Sequence, residues 1–199
     1  MEIKNNVIVS LDKNDKNLVV PKNVVGVVYP VSDLCRIDGF ESIVVEVWNE
    51  HFYVESGCLI WRDKKMVVAG LKDAKIPEDK NVEKIAAGAF MYQSGLQEIV
   101  IPKNIKKIGY NAFASTSLKN VTLSEGLETL DLYAFGFNEE MQTLTIPKSV
   151  KKLITHKVLE DVSTLSELGY KSKTYRVYAN TYAHRYMKKH GLKFEVIEK

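Results

Sequence analysis

The chain is predicted to fold as a curved solenoid, mainly β with short helical turns, and three observations carry that prediction. A phrase that leads with a large apolar residue and ends in Ile-Pro or its equivalent is written four times, over residues 70–77, 95–102, 117–124 and 140–147. Its lead residues, Leu71, Leu96, Leu118 and Met141, lie 25, 22 and 23 positions apart. An Ala-Phe pair follows in step as Ala89-Phe90, Ala112-Phe113 and Ala134-Phe135, and four of the five prolines share one repeat position. A fixed period of this size is the mark of stacked coils, each of which buries its apolar face only against its neighbours. A scaffold of that kind presents a surface rather than a reaction centre.

The first stretch, 1–39, reads as a degenerate coil. Leu18-Val-Val-Pro21-Lys-Asn-Val-Val-Gly-Val27 follows Ile99-Val-Ile-Pro102-Lys-Asn-Ile-Lys-Lys-Ile108 almost position for position. Residues 40–70 form a second coil, led by Phe40, that carries an insert. Phe40 and Leu71 are 31 apart, and the surplus reads as two strands, 57–60 and 66–69, around the polar turn Trp61-Arg-Asp-Lys-Lys65. The aromatic-rich stretch 47–54 either joins an exposed face or lies where the hairpin packs onto the first coils.

Residues 71–153 hold the regular repeats. Each phrase alternates with the period of two expected of a strand, so Leu96, Ile99 and Ile101 point inward and Val100 outward. Proline then ends the ladder because it has no N–H to give. Further inward positions follow at Val82 and Ile85, Ile105 and Ile108, Leu127 and Leu130, and Val150 and Leu153. Coils stacked at the strand spacing of about 4.8 Å would place Phe90, Phe113 and Phe135 one above another as a structural ladder.

The end, 154–199, reads as a cap that covers the last open coil. Val158, Leu159, Val162, Leu165 and Leu168 recur at helical spacing. A strand at 174–178 follows, then a helix through Tyr182, Ala183, Tyr186 and Met187 with Asn180 as its N-cap and Gly191 as its stop, and a closing strand at 193–197. About six coils result in all.

The repeat units resemble the BspA-like (Treponema pallidum-type) leucine-rich repeats. Ile108-Gly-Tyr-Asn-Ala-Phe113 is close to the final part of that family's repeat, and residues 57–69 and 180–194 are similar to its usual insert and C-terminal segment. The resemblance covers about residues 18–199 and implies a leucine-rich-repeat solenoid, a bacterial repeat protein and a protein-binding role. Many relatives are surface proteins, whereas the N-terminus Met1-Glu-Ile-Lys-Asn-Asn6 has no apolar leader segment.

Composition narrows the function further. Hydrophobic residues at 45% and charged residues at 27% suit a folded domain, and a net charge of +3 is too small to imply nucleic acid or an anionic membrane. No stretch approaches the roughly 18 apolar residues of a membrane span. Cys35 and Cys58 read as two buried thiols, with a disulfide between neighbouring coils as the alternative. His51, His156, His184 and His190 do not have metal-site spacing, and no nucleophile, acid or base is placed by a motif. No catalysis, no metal and no cofactor are expected. Lys103, Lys106 and Lys107, then Glu125 and Glu128, then Lys148, Lys151 and Lys152 would alternate in sign from coil to coil, a pattern that steadies neighbours rather than tracking phosphates.

What remains for function is the row of outward positions on the repeated strands. These are Lys72, Asp73, Lys75, Gln97, Glu98, Val100, Lys119, Asn120, Thr122, Gln142, Thr143 and Thr145. A polar, rigidly spaced row suits recognition of a protein partner. Two alternatives stand beside it: an intracellular effector or inhibitor of a host or phage protein, and a fragment of a surface adhesin binding host protein or glycan. The first fits a cytoplasmic chain, and the second fits a secreted or surface chain whose leader has been trimmed.

Overall fold

Coil stacking is set by the alternation of the repeated strands, and the computed structural model describes residues 1–10, 16–28, 39–155 and 173–198. The helical run expected around 158–168 and Cys35 lie outside the described residues. The protein is a β-solenoid of about seven turns with one helix near its C-terminal end among the described residues. No helix among those residues is long and apolar enough to cross a membrane.

The chain opens on a hairpin, β1 (Glu2–Lys4) and β2 (Val7–Ser10), turned by Asn5 and Asn6 at φ 50° and 60°. Asparagine tolerates that left-handed turn better than most side chains. β3 (Asn17–Val20) and β4 (Gly26–Val27) complete the first coil, and β5 (Ser42–Val45) lies parallel to β3 in register.

The insert is larger than the sequence suggests. β6 (Phe52–Glu55), β7 (Cys58–Trp61) and β8 (Met66–Gly70) form an antiparallel meander, so the aromatic stretch before the hairpin supplies its third strand. Phe52 is buried against Trp61, ring centroids 5.4 Å apart. Trp48 is left 88% exposed.

From β8 onward the coils stack in parallel. β9 (Lys84–Ile85), β11 (Lys107–Ile108), β13 (Thr129–Asp131) and β15 (Lys152–Ile154) extend the meander into one seven-stranded sheet. These short strands carry the second inward positions. The phrase strands β10 (Glu98–Ile101), β12 (Asn120–Leu123) and β14 (Thr143–Thr145) occupy the other side of the coil. They are joined less evenly, since β10 pairs with β12, whereas β14 pairs with β16 (Thr174–Tyr178) and through it with β17 (Phe194–Ile197). Residues 71–77 form no strand.

The core follows the repeat. Leu96, Ile99, Ile101, Ile105 and Ile108 and their counterparts in the next two coils, Val121 and Leu123 excepted, are buried. The Phe90 and Phe113 rings stack 4.9 Å apart, and Phe113 and Phe135 5.2 Å apart. Leu71 and Leu123, read as inward, are only half-buried. Both border places where the phrase strands lose their ladder.

Each Phe is followed three residues later by a buried polar side chain: Gln93, Thr116 and Asn138. Asn138 Nδ2 donates to the carbonyls of Phe113, Phe135 and Gly136 at 2.8, 3.2 and 3.1 Å, while its Oδ1 accepts from Thr116 Oγ1 and Leu118 N. Gln93 Nε2 donates to Gly70 O at 2.8 Å and to Phe40 O at 3.4 Å, tying the insert-bearing coil to the regular ones. A buried backbone carbonyl needs such a partner wherever the chain leaves its ladder.

The C-terminal helix α1 (Tyr182–His190) is capped by Thr181, whose Oγ1 accepts from His184 N. Asn180, read as the cap, instead adopts φ 62° in the turn before it. Gly191 ends the helix at φ 62°, as its freedom from a Cβ permits. β16 and β17 prolong the phrase-strand stack, so the described part of the cap continues the solenoid.

Candidate binding face

Eleven of the twelve predicted face residues are exposed, with Thr145 half-buried; Lys72, Asp73 and Lys75 lie on the strandless stretch 71–77, and the phrase strands leave every second side chain outside. The parallel register sets Glu98 beside Asn120 and Val100 beside Thr122. Asn120 Nδ2 donates to Glu98 Oε1 at 2.7 Å, which fixes both side chains on the surface. Lys119 Nζ lies 2.9 Å from Glu140 Oε2 one coil further on. Exposed pairs of this kind contribute little stability, about 0–1 kcal/mol, but they orient the polar groups a partner would meet.

The face is not a uniform strip. Because 71–77 is not paired with β10, a cleft of about 380 Å³ opens between the two, lined by Lys75, Ile76 and Glu78 on one side and Glu98, Val100 and Pro102 on the other. Val100 is 60% exposed at its edge, an isolated apolar group flanked by charge. The cleft thus brings together Lys75, Glu98 and Val100. Lys72 packs its stem over Gly95, where a Cβ would come within 2.9 Å of the lysine Cδ.

Gln142, Thr143 and Thr145 are set apart on the second sheet. Thr143 and Thr145 pair in register with Thr174 and Arg176, and Arg176 Nε lies 2.6 Å from Glu195 Oε1. Arg176 and Glu195 therefore extend the face in a way the repeat count misses. Their signal lay in the alternation of 174–178, where Tyr175 and Val177 are buried and Arg176 is exposed.

The charge pattern between coils is built in part as expected, and its built column runs further. Glu128 meets Lys151 at 3.4 Å, and Lys65 meets Glu83 at 2.8 Å one coil before Lys106. Lys65, Glu83, Lys106, Glu128 and Lys151 alternate in sign along one column, each bonded through its backbone to the next. Lys103 and Glu125 do not join it, since Glu125 accepts from the backbone N–H groups of Lys148 and Ser149.

Burial pushes the Cys58 thiol and the Lys173 ammonium far from their usual values. The Cys58 thiol, free and buried, is raised to about 12 by loss of solvent and then by the charge of Glu55. The Lys173 ammonium, donating to Asn138 O at 3.2 Å, is lowered to about 8 by burial. Neither lies on the face. Among the described residues no group of three or more His, Cys, Asp or Glu is placed to hold a metal ion.

The family model for the BspA type leucine rich repeat region matches residues 68–188 in six copies, more than half of the chain. No curated protein matches the chain. Among solved structures, the chain is similar to the pneumococcal vaccine antigen PcpA at 19% identity and a TM-score of 0.62, over 92% of this chain and 56% of that one. It is also similar to a leucine rich cell surface protein from Faecalibacterium prausnitzii A2-165 at 14% identity and a TM-score of 0.67, over 92% of this chain and 48% of that one. At such identities the likeness is one of fold, and the chain spans about half the length of either protein.

Proposed function

Because the chain belongs to the BspA-type leucine-rich-repeat family, we propose that it is a protein-recognition module that binds its partner through the outward residues of the phrase strands. The observation that carries this reading is the cleft at Lys75, Glu98 and Val100, set in a row of side chains held by Glu98–Asn120 and Lys119–Glu140. An exposed apolar residue between oriented charges is the arrangement of a recognition surface, with apolar contact at the centre and polar groups fixing register. The face works by binding alone, with no step of catalysis.

The test is capture from a native bacterial lysate with the unaltered chain and with a Glu98→Lys/Lys119→Glu variant. A partner retained by the first and lost by the second supports the face. Equal retention would refute it.

A second reading places that encounter at the cell surface. It draws on the fold shared with a vaccine antigen and a cell surface protein. Protection of the chain from protease added to intact source cells would count against it.

A further inference from the structure

The seven-stranded sheet carries a second surface, on the other side of the coil from the phrase strands. Each coil contributes two adjacent residues there: Glu83-Lys84, Lys106-Lys107, Glu128-Thr129 and Lys151-Lys152. The first of each pair belongs to the alternating column, which compensates itself. The second does not, since in-register pairing sets Lys84 beside Lys107, Lys107 beside Thr129, and Thr129 beside Lys152. The row holds three lysines and no acid, and Lys84 and Lys107 sit on neighbouring strands about 4.8 Å apart, where like charges repel. None of the three ammonium groups makes an ion pair or hydrogen bond with a described residue.

Beside the row runs a trough of about 440 Å³ whose lining includes Lys64, Lys84, Lys107 and Tyr110 and the small residues Ala86, Ala87 and Gly109. Where Ala86, Ala87 and Gly109 line it, little side chain fills the trough. At Gly109 a Cβ would lie 2.7 Å from Ala87 N, so no side chain fits between the coils.

We propose that this trough and its lysine row form a second docking surface, independent of the phrase-strand face, that takes an extended acidic segment of a polypeptide. Carboxylates on one side of an extended chain recur about every 6.6–6.8 Å. Lysine stems rooted about 4.8 and 9.6 Å apart are long and flexible enough to meet them. The part of the trough lined by small residues receives the side chains between. Because Glu83 and Glu128 flank the row and the buried Asp131 carboxyl borders the trough, carboxylates spaced to meet the lysines fit better than the unbroken charge of a phosphate backbone. These acids interrupt the positive field that a polyanion follows.

The test uses the full chain and a fluorescein-labelled peptide of alternating Glu and Ala, read by fluorescence anisotropy at two salt concentrations. Lys84→Glu/Lys107→Glu is expected to weaken binding at least tenfold, and Lys84→Gln/Lys107→Gln by a smaller factor. Lys80→Glu/Lys188→Glu, with the same change in net charge elsewhere, should shift it less than twofold. Equal weakening by both Glu pairs would reduce the effect to net charge and overturn the proposal. So would absence of binding, or tenfold tighter binding of a thymidine oligonucleotide or a sulfated polysaccharide of equal length. Loss of partner capture by Glu98→Lys/Lys119→Glu with peptide binding intact separates this surface from the phrase-strand face.

Discussion

The Phe113 ring lies face to face with the Phe135 ring, centroids 5.2 Å apart and planes 6° apart, and neither is exposed. Phe90 continues the stack on the other side at 4.9 Å. One ring thus bridges two coil interfaces, and its loss is felt in both.

Replacing Phe113 with Ala should cost about 3–5 kcal/mol, the range for emptying a large aromatic site in a core that cannot collapse onto it. Urea denaturation of the two chains measures this. A loss below about 1 kcal/mol would contradict the stack as a source of stability.

Asn138→Ala should cost about 1–3 kcal/mol, because carbonyls at the corner of two coils lose their donor and Leu118 N loses its acceptor. Asn138→Asp should cost at least as much, since a carboxylate can accept but cannot donate to carbonyls. Stability of Asp equal to Asn would show that the amide is not the cap.

Two glycines should respond differently to Ala. At Gly109 the new Cβ meets neighbouring backbone, so adjacent coils must shift at a cost of about 1–3 kcal/mol that no choice of side chain relieves. At Gly191 nothing lies within 4 Å and only φ 62° is strained, so the cost is about 1 kcal/mol and Asn should recover part of it. Thermal unfolding of the three variants decides.

Cys58 yields a prediction in pH. Its folded value of about 12 stands above the usual 9. The unfolded chain therefore releases this proton first. The stability it contributes is complete below pH 9 and falls as pH rises towards 12. Relative to Cys58→Ala, the unaltered chain should lose stability between pH 9 and 10.5, by up to about 1.4 kcal/mol per pH unit. In a Cys35→Ser background the thiol should also resist iodoacetamide at pH 8 until the protein unfolds. A constant difference across that window, or rapid alkylation of the native chain, would contradict the burial.

Much of this fold was readable because strand alternation leaves little choice: Ile99 and Ile101 inside dictate Val100 outside. The Ala-Phe pairs revealed themselves by spacing alone. What escaped was what does not repeat as a letter. Gln93, Thr116 and Asn138 perform one task with three residue types, so no pattern marks them. Whether β12 joins β14 depends on how far each corner loop carries the chain, which the phrase does not encode. The residues of the predicted row are therefore exposed but split across two sheets, with an unpaired stretch at 71–77 opening the cleft beside Val100. Thr181 rather than Asn180 caps the helix because either side chain suits the position and the turn geometry chose between them.

Hydrogen–deuterium exchange of the chain with and without its captured partner tests the recognition face most directly. Slower exchange on binding is predicted in peptides spanning 72–75, 97–100 and 119–122, with the buried Phe ladder unchanged. Unaltered exchange across all three segments in a saturated complex would contradict it.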